Sequence, residues 1–153
     1  MNSRRVTIAI PIHNEQEVLP ELLRRVFVVL DQTPGGPHEL LMVDDGSRDH
    51  SLRILEEAAA RDPRVRVIVL SRNFGHQAAV SAAFDHASGD VMMVMDGDLQ
   101  DAPEALPILL ERLDQGFDVV YVRRTQRKEA LWLRTAYHLA YRVITPRSCV
   151  KTR

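Results

Sequence analysis

Short apolar runs recur along the chain at residues 6–12, 40–43, 65–70, 91–95 and 117–122, and helix-length stretches separate them at 15–30, 49–61, 75–87 and 103–115. A fifth helical pattern follows at about residues 128–144. The runs are nearly continuous rather than alternating. A strand of that kind is buried on both faces, as in a parallel sheet covered by helices. Alternation of strand and helix over the whole chain therefore predicts an α/β fold with right-handed crossovers. Helix starts agree with it: Asn14 with Glu17 reads as a capping box, as does Asp101 with Glu104 and Pro103 in the first turn. At 153 residues the chain has the length of one ordinary domain, and a domain of that size buries roughly 70% of its unfolded surface.

Several classes drop out at once. No apolar run reaches the ~20 residues of a membrane span, and the start MNSRRVTIAIPI has no cleavable-signal pattern. Cys149 is the only cysteine, which excludes a disulfide framework and fits a reducing, cytoplasmic setting. No G-x-G-x-x-G, no Gly-Lys-Ser/Thr and no G-x-S-x-G occurs, so the dinucleotide fingerprint, the P-loop and the nucleophile elbow are missing. Charge is unevenly spread. Residues 1–120 carry 11 Lys and Arg against 20 Asp and Glu, a net of −9, whereas residues 121–153 carry 9 Lys and Arg against Glu129 alone, a net of +8. An acidic body disfavours nucleic acid as a partner. The basic end fits an anionic one.

In a parallel α/β sheet, ligands bind at the carboxyl ends of the strands. Four polar clusters fall there: residues 11–15 after the first run, 44–47 after the second, 71–75 after the third and 96–101 after the fourth. Asp96 and Asp98, two residues apart at a strand end, offer hard oxygen ligands of the kind that suit Mg2+ or Mn2+, and Gln100 offers a further carbonyl oxygen. A calcium loop is excluded, because Asp101 and Pro107 stand where it needs Gly and Glu. Asp44 and Asp45 read either as turn chemistry or as acceptors for a nucleobase or ribose. Arg72 reads as a base or phosphate contact or as a partner of a nearby carboxylate. His13 and His76 read as surface or capping histidines.

The segments IPIHNE (10–15), VDDGSRD (43–49), SRNFGHQAA (71–79) and MDGDLQDAPE (95–104), in that order, resemble family 2 glycosyltransferases of the GT-A fold. Among these, the chain is most similar to polyprenyl-phosphate sugar transferases, such as dolichol-phosphate mannosyltransferase and the bacterial undecaprenyl-phosphate enzymes. The resemblance implies a GT-A-type, Rossmann-like, mostly parallel sheet flanked by helices, truncated after about five strands. Residues 1–144 would then be an incomplete nucleotide-sugar-binding domain and residues 145–153 an atypical basic tail. It implies a metal-dependent inverting transfer of sugar from a UDP- or GDP-linked donor to a polyprenyl phosphate. Pro11, Asn14, Glu15, Asp44, Asp45 and Arg72 would line the nucleotide pocket. Asp96 and Asp98 would be the catalytic, metal-binding pair with Gln100 as a further ligand, and Arg123 and Arg134 would meet the acceptor phosphate. His13 stands where the family usually has Tyr, and Gly97 where Ala is frequent. The cationic, partly apolar stretch around Trp132 and Arg134 suits an anionic membrane surface, which places the chain peripherally on the inner face of the cytoplasmic membrane. Two alternatives stand beside this: a non-catalytic nucleotide-binding module, and a phosphatase of the haloacid dehalogenase type, for which Gln100 is the wrong residue.

Overall fold

A computed structural model of the chain describes residues 4–122. The chain divides into two units, 1–120 and 121–153, and every element named below lies in the first. Four strands, β1 (Val6–Ile12), β2 (Glu39–Asp44), β3 (Val65–Val69) and β4 (Val91–Val94), form one sheet. All pairings are parallel, in the order β3-β2-β1-β4. The helices are α1 (Leu19–Gln32), α2 (Ser51–Arg61), α3 (His76–His86) and α4 (Leu106–Asp114), with a single 3-10 turn at Pro103–Ala105.

The two central strands are the apolar runs β1 and β2, and almost every residue in them is buried. Alternate residues feed two cores. Ile8, Ile10 and Ile12 of β1 and Leu40 and Met42 of β2 pack under Leu22, Val26 and Leu30 of α1 and Leu55 of α2. Ala9, Leu41 and Val43 face the other way, onto Ala79 and Ala83 of α3. The alanines leave room for α3 to lie close against the sheet. Each fully buried Leu or Ile side chain contributes roughly 1.5–3 kcal/mol by leaving water, so the first face carries most of the hydrophobic stabilisation.

The register brings the strand ends level. Ile12 lies opposite Asp44, and Asp44 opposite Val69. Val94 pairs with Ala9 and the Met95 N–H donates to the Ala9 carbonyl, so the chain leaves β4 beside the end of β1. Because every strand is parallel, all four polar clusters emerge at this one edge.

Three expectations need correction. Residues 117–122 form no strand. Phe117, Val119 and Val122 are exposed, and among the described residues nothing pairs with the outer edge of β4, so the segment adds no strand to the sheet. Neither capping box forms. Asn14 has a left-handed backbone (φ 58°), and residues 15–18 make a turn in which the Val18 and Leu19 N–H groups both reach the Glu15 carbonyl. The first helix therefore starts at Leu19, with Pro20 in its first turn. Asp101 turns its carboxylate back to the Asp96 N–H (3.0 Å), while Glu104 pairs with Arg25. The fifth helical pattern, 128–144, lies outside the described residues.

Candidate functional site

At the carboxyl edge of the sheet lies a cleft of about 280 Å3. Of the residues expected there, Pro11, Glu15, Asp45, Asp96 and Asp98 line it. The acidic pair that closes β4 therefore shares one crevice with a carboxylate that follows β2. Ile12, His13, His76 and Gly97 complete the walls. A smaller cleft of about 210 Å3, between the end of α1 and α4 and next to Arg4, holds none of the expected residues.

The loops are fixed by backbone bonds between clusters. The Asp45 N–H donates to the Ile12 carbonyl at 2.8 Å, and the Leu70 N–H to the Asp44 carbonyl at 2.9 Å. The buried Asp45 carboxylate accepts the Phe74 N–H at 2.7 Å and the Gly75 N–H at 2.9 Å, one on each oxygen. Asp45 thus moors the 71–75 loop to the end of β2. Gly46 makes the approach possible: its φ is +65°, and a Cβ there would stand 2.5 Å from the Arg72 carbonyl carbon and 2.6 Å from the Asn73 nitrogen. On that loop the Arg72 guanidinium lies over the Phe74 ring, 4.3 Å from its centre.

Asp44 is 1% exposed and does not line the cleft. Its Oδ2 accepts the Ser47 N–H at 3.2 Å, which is the turn reading of this motif, and its Oδ1 has no hydrogen-bond partner. Asn14 also serves the frame: its Oδ1 accepts the Arg48 N–H at 2.8 Å, and its backbone N–H donates to Ser47. Asn14, Arg72 and Gln100 lie outside the cleft lining. The Gln100 backbone N–H donates to Asp98 Oδ1 at 3.0 Å. Arg123 and Arg134 lie outside the described residues.

The electrostatics are lopsided. Burial, and then the charges of Asp98 and Asp49, push the Glu15 carboxyl above its usual value. Two histidines line the cleft, and they differ. His13 Nδ1–H donates to the Asp45 carbonyl at 2.9 Å, which leaves Nε2 to accept from the Asn14 amide at 3.0 Å. Both of its nitrogens are committed. His76, the first residue of α3, has its Nε2 3.9 Å from Asp96 Oδ1, too far for a hydrogen bond. His76 is a surface residue, as expected, and it also lines the cleft, which the sequence reading did not anticipate. The available signal was its position, the first residue after a polar cluster at a strand's carboxyl end.

The donor set suits a hard divalent cation. Asp96 and Asp98 present carboxylate oxygens at the cleft wall, and like charge is concentrated around them. Among the described residues no group of three or more His, Cys, Asp or Glu is arranged to hold a metal. No helix among the described residues is long and apolar enough to cross a membrane.

Residues 7–149 match the family model described as Glycosyl transferase family 2. The chain is 43% identical over 140 residues to the Bacillus subtilis glycosyltransferase YkcC, covering 91% of this chain and 43% of that protein. It is 45% identical over 130 residues to the undecaprenyl-phosphate 4-deoxy-4-formamido-L-arabinose transferase of Pseudomonas fluorescens, covering 84% and 38%. The chain thus spans less than half the length of these relatives. Among solved structures, the mannosyltransferase PcManGT of Pyrobaculum calidifontis, in complex with GDP-Man and Mn2+, is similar with a TM-score of 0.65 at 24% identity, over 74% of this chain and 33% of that one. S. aureus TarS 1-349 gives 0.62 at 22% identity, over 82% and 40%. These likenesses agree with the expected GT-A-type sheet.

Proposed function

The chain belongs to glycosyl transferase family 2, and from that premise we propose that it is the donor-binding part of a metal-dependent inverting glycosyltransferase that moves a sugar from a UDP- or GDP-linked donor to a polyprenyl phosphate. One observation carries this reading: Glu15, Asp45, Asp96 and Asp98 open into a single cleft at the carboxyl edge of the sheet. Relatives named as undecaprenyl-phosphate transferases support the acceptor, and the GDP-Man and Mn2+ complex of PcManGT supports the donor and the ion.

Asp96 and Asp98 would hold Mg2+ or Mn2+, with Gln100 close by in sequence. When bound, the cation supplies charge compensation for the departing nucleoside diphosphate. The remaining work falls to the chain. Asp45 holds the 71–75 loop in place and keeps lone pairs for a base N–H, while Pro11 and Glu15 form the floor and wall beside it. Asn14 and Asp44 fix the turns that present these groups, and Arg72 meets the base or phosphate from the loop. Arg123 and Arg134 would meet the acceptor phosphate at an anionic membrane surface. A phosphate acceptor is already an anion near neutral pH, so the transfer requires no strong general base.

A thermal-shift and calorimetric screen of UDP, GDP and their sugars, with and without Mn2+, tests the proposal. A ligand that binds the native state raises apparent stability by mass action. At least one nucleotide should bind, more tightly with Mn2+ than without, and the Asp96→Asn, Asp98→Asn double variant should lose that difference. Nucleotide binding indifferent to metal would overturn the metal-dependent reading. A second reading is a nucleotide-binding module without transfer activity, which binding without turnover of any sugar nucleotide would support. The phosphatase alternative is set aside by family membership.

A further inference from the structure

Under the donor-binding reading the cleft receives a polyanion, yet its walls carry mainly carboxylates. A diphosphate entering it needs hydrogen-bond donors as well as a cation. Among the described residues that line the cleft, the side chains able to donate are the two imidazoles. His13 is spent on the Asp45 carbonyl and the Asn14 amide. His76 is not. Its side chain is 54% exposed, and among the described residues neither ring nitrogen makes a hydrogen bond. It faces Asp96 from across the cleft, on the first residue of α3. The space beside the preceding Gly75 is open, with nothing within 4 Å of where a Cβ would stand. The ring therefore stands at the wall on the first residue of a helix, and its nitrogens are free for a ligand.

We propose that His76 is the residue of this cleft whose side chain donates a hydrogen bond to the diphosphate of the nucleotide. The inference rests on the donor-binding reading above and deepens it, because it assigns the phosphate contact to a side chain outside the acidic pair. The 3.9 Å spacing from Asp96 is a resting contact that the ring gives up when the ligand enters.

Calorimetry on the full chain separates this from other roles. The probes are Mn2+ alone, then UDP and GDP with Mn2+, then UMP and GMP with Mn2+. His76→Ala should weaken the nucleoside diphosphate about tenfold, the loss of one charge-assisted hydrogen bond at a partly exposed site. Binding of the matching monophosphate should fall less. Mn2+ alone should bind as before, and the unliganded melting temperature should not move, since the ring holds nothing in place. His76→Gln, which keeps an N–H donor, should recover most of the lost affinity. Equal diphosphate affinity in His76→Ala and wild type overturns the proposal. So does an equal loss for monophosphate and diphosphate, or a matching loss of Mn2+ alone, which would make His76 a ligand of the ion. Wild-type protein that binds no nucleotide with Mn2+ removes the donor-binding reading and this inference together; a difference confined to the variant bears on His76 alone.

Discussion

Helix α3 joins two ends of the sheet that handle charge in opposite ways. At its C-terminal end the buried Glu39 accepts from the Thr7 hydroxyl at 2.6 Å, the Arg66 guanidinium at 2.6 Å and the Ser88 N–H at 2.9 Å. Arg66 also donates to the His86 carbonyl at 3.0 Å, which ties the network to the helix. Burial raises the Glu39 carboxyl, but these bonds outweigh it and bring it down from 4.5 to about 2. At the N-terminal end Glu15 goes the other way, pushed up by burial and then by its acidic neighbours Asp98 and Asp49. Two glutamates of one small domain thus have opposite fates. Where the fold completes the hydrogen bonds, charge stabilises it. Where the fold leaves like charges together, stability is given up and the carboxylates stay open to the cleft.

The sharpest way to break that contrast is to remove the satisfied carboxylate. Glu39→Gln keeps the shape but leaves Arg66 without its counter-charge and turns an amide toward donors. The expected loss is about 2–3 kcal/mol in urea unfolding, the range for breaking a hydrogen-bonded buried charge whose partner is partly exposed. The pH dependence follows from the same group. The folded pKa lies below the unfolded one, so its stabilisation is complete above about 4.5 and disappears as pH falls toward 2. Wild-type stability should drop across that window, and Glu39→Gln should flatten the drop. An unchanged acid profile would show that Glu39 is not the group responsible.

Gly46→Ala tests whether the mooring of the 71–75 loop matters at the open end. The new methyl meets backbone atoms of Arg72 and Asn73 at 2.5 to 2.6 Å, at a φ of +65°, so neither rotamer change nor loop trimming relieves it. A cost of about 2 kcal/mol is expected, with weaker nucleotide binding because Arg72 and the Asp45 bonds shift. Wild-type stability in this variant would mean that the loop is not held where the hydrogen bonds place it.

Asp98→Asn should have the opposite character to Glu39→Gln. It removes one of the repelling charges and keeps an acceptor for the Gln100 N–H, so stability should hold or rise by up to about 0.5 kcal/mol, while Mn2+ affinity falls. A loss as large as that of Glu39→Gln would erase the distinction between the two ends.

Much of this was legible from sequence because it depends on local pattern. Apolar runs at residues 6–12 and 40–43 specified the two buried strands, and parallel pairing then forced residues 11–15, 44–47, 71–75 and 96–101 to one edge. The run at 117–122 looked the same by composition, but a strand also needs a neighbour, and pairing is not written in its own residues. Roles within the clusters were harder to read for the same reason. Asp44 and Asp45 are adjacent and chemically identical, yet Asp44, the last residue of β2, makes a buried turn contact, while Asp45, just past the strand, reaches the cleft. His13 and His76 were indistinguishable until their partners were known.

Gly97→Ala gives the finest test of the open end. A Cβ there would stand 2.5 Å from Ile12 Cδ1 and 3.3 Å from the Pro11 carbonyl oxygen. The closest atom is the tip of a flexible side chain, not backbone as at Gly46, so a χ2 rotation of Ile12 relieves it. The residue carries no positive φ, so no backbone strain is added. A stability change within about 0.5–1 kcal/mol is expected, the cost of one off-rotamer side chain. Ile12 also lines the cleft, so its rotation moves apolar surface next to Asp96 and Asp98, and nucleotide affinity should change by more than stability does. If instead Gly97→Ala destabilises as strongly as Gly46→Ala, the cleft floor is as rigid as the loop mooring.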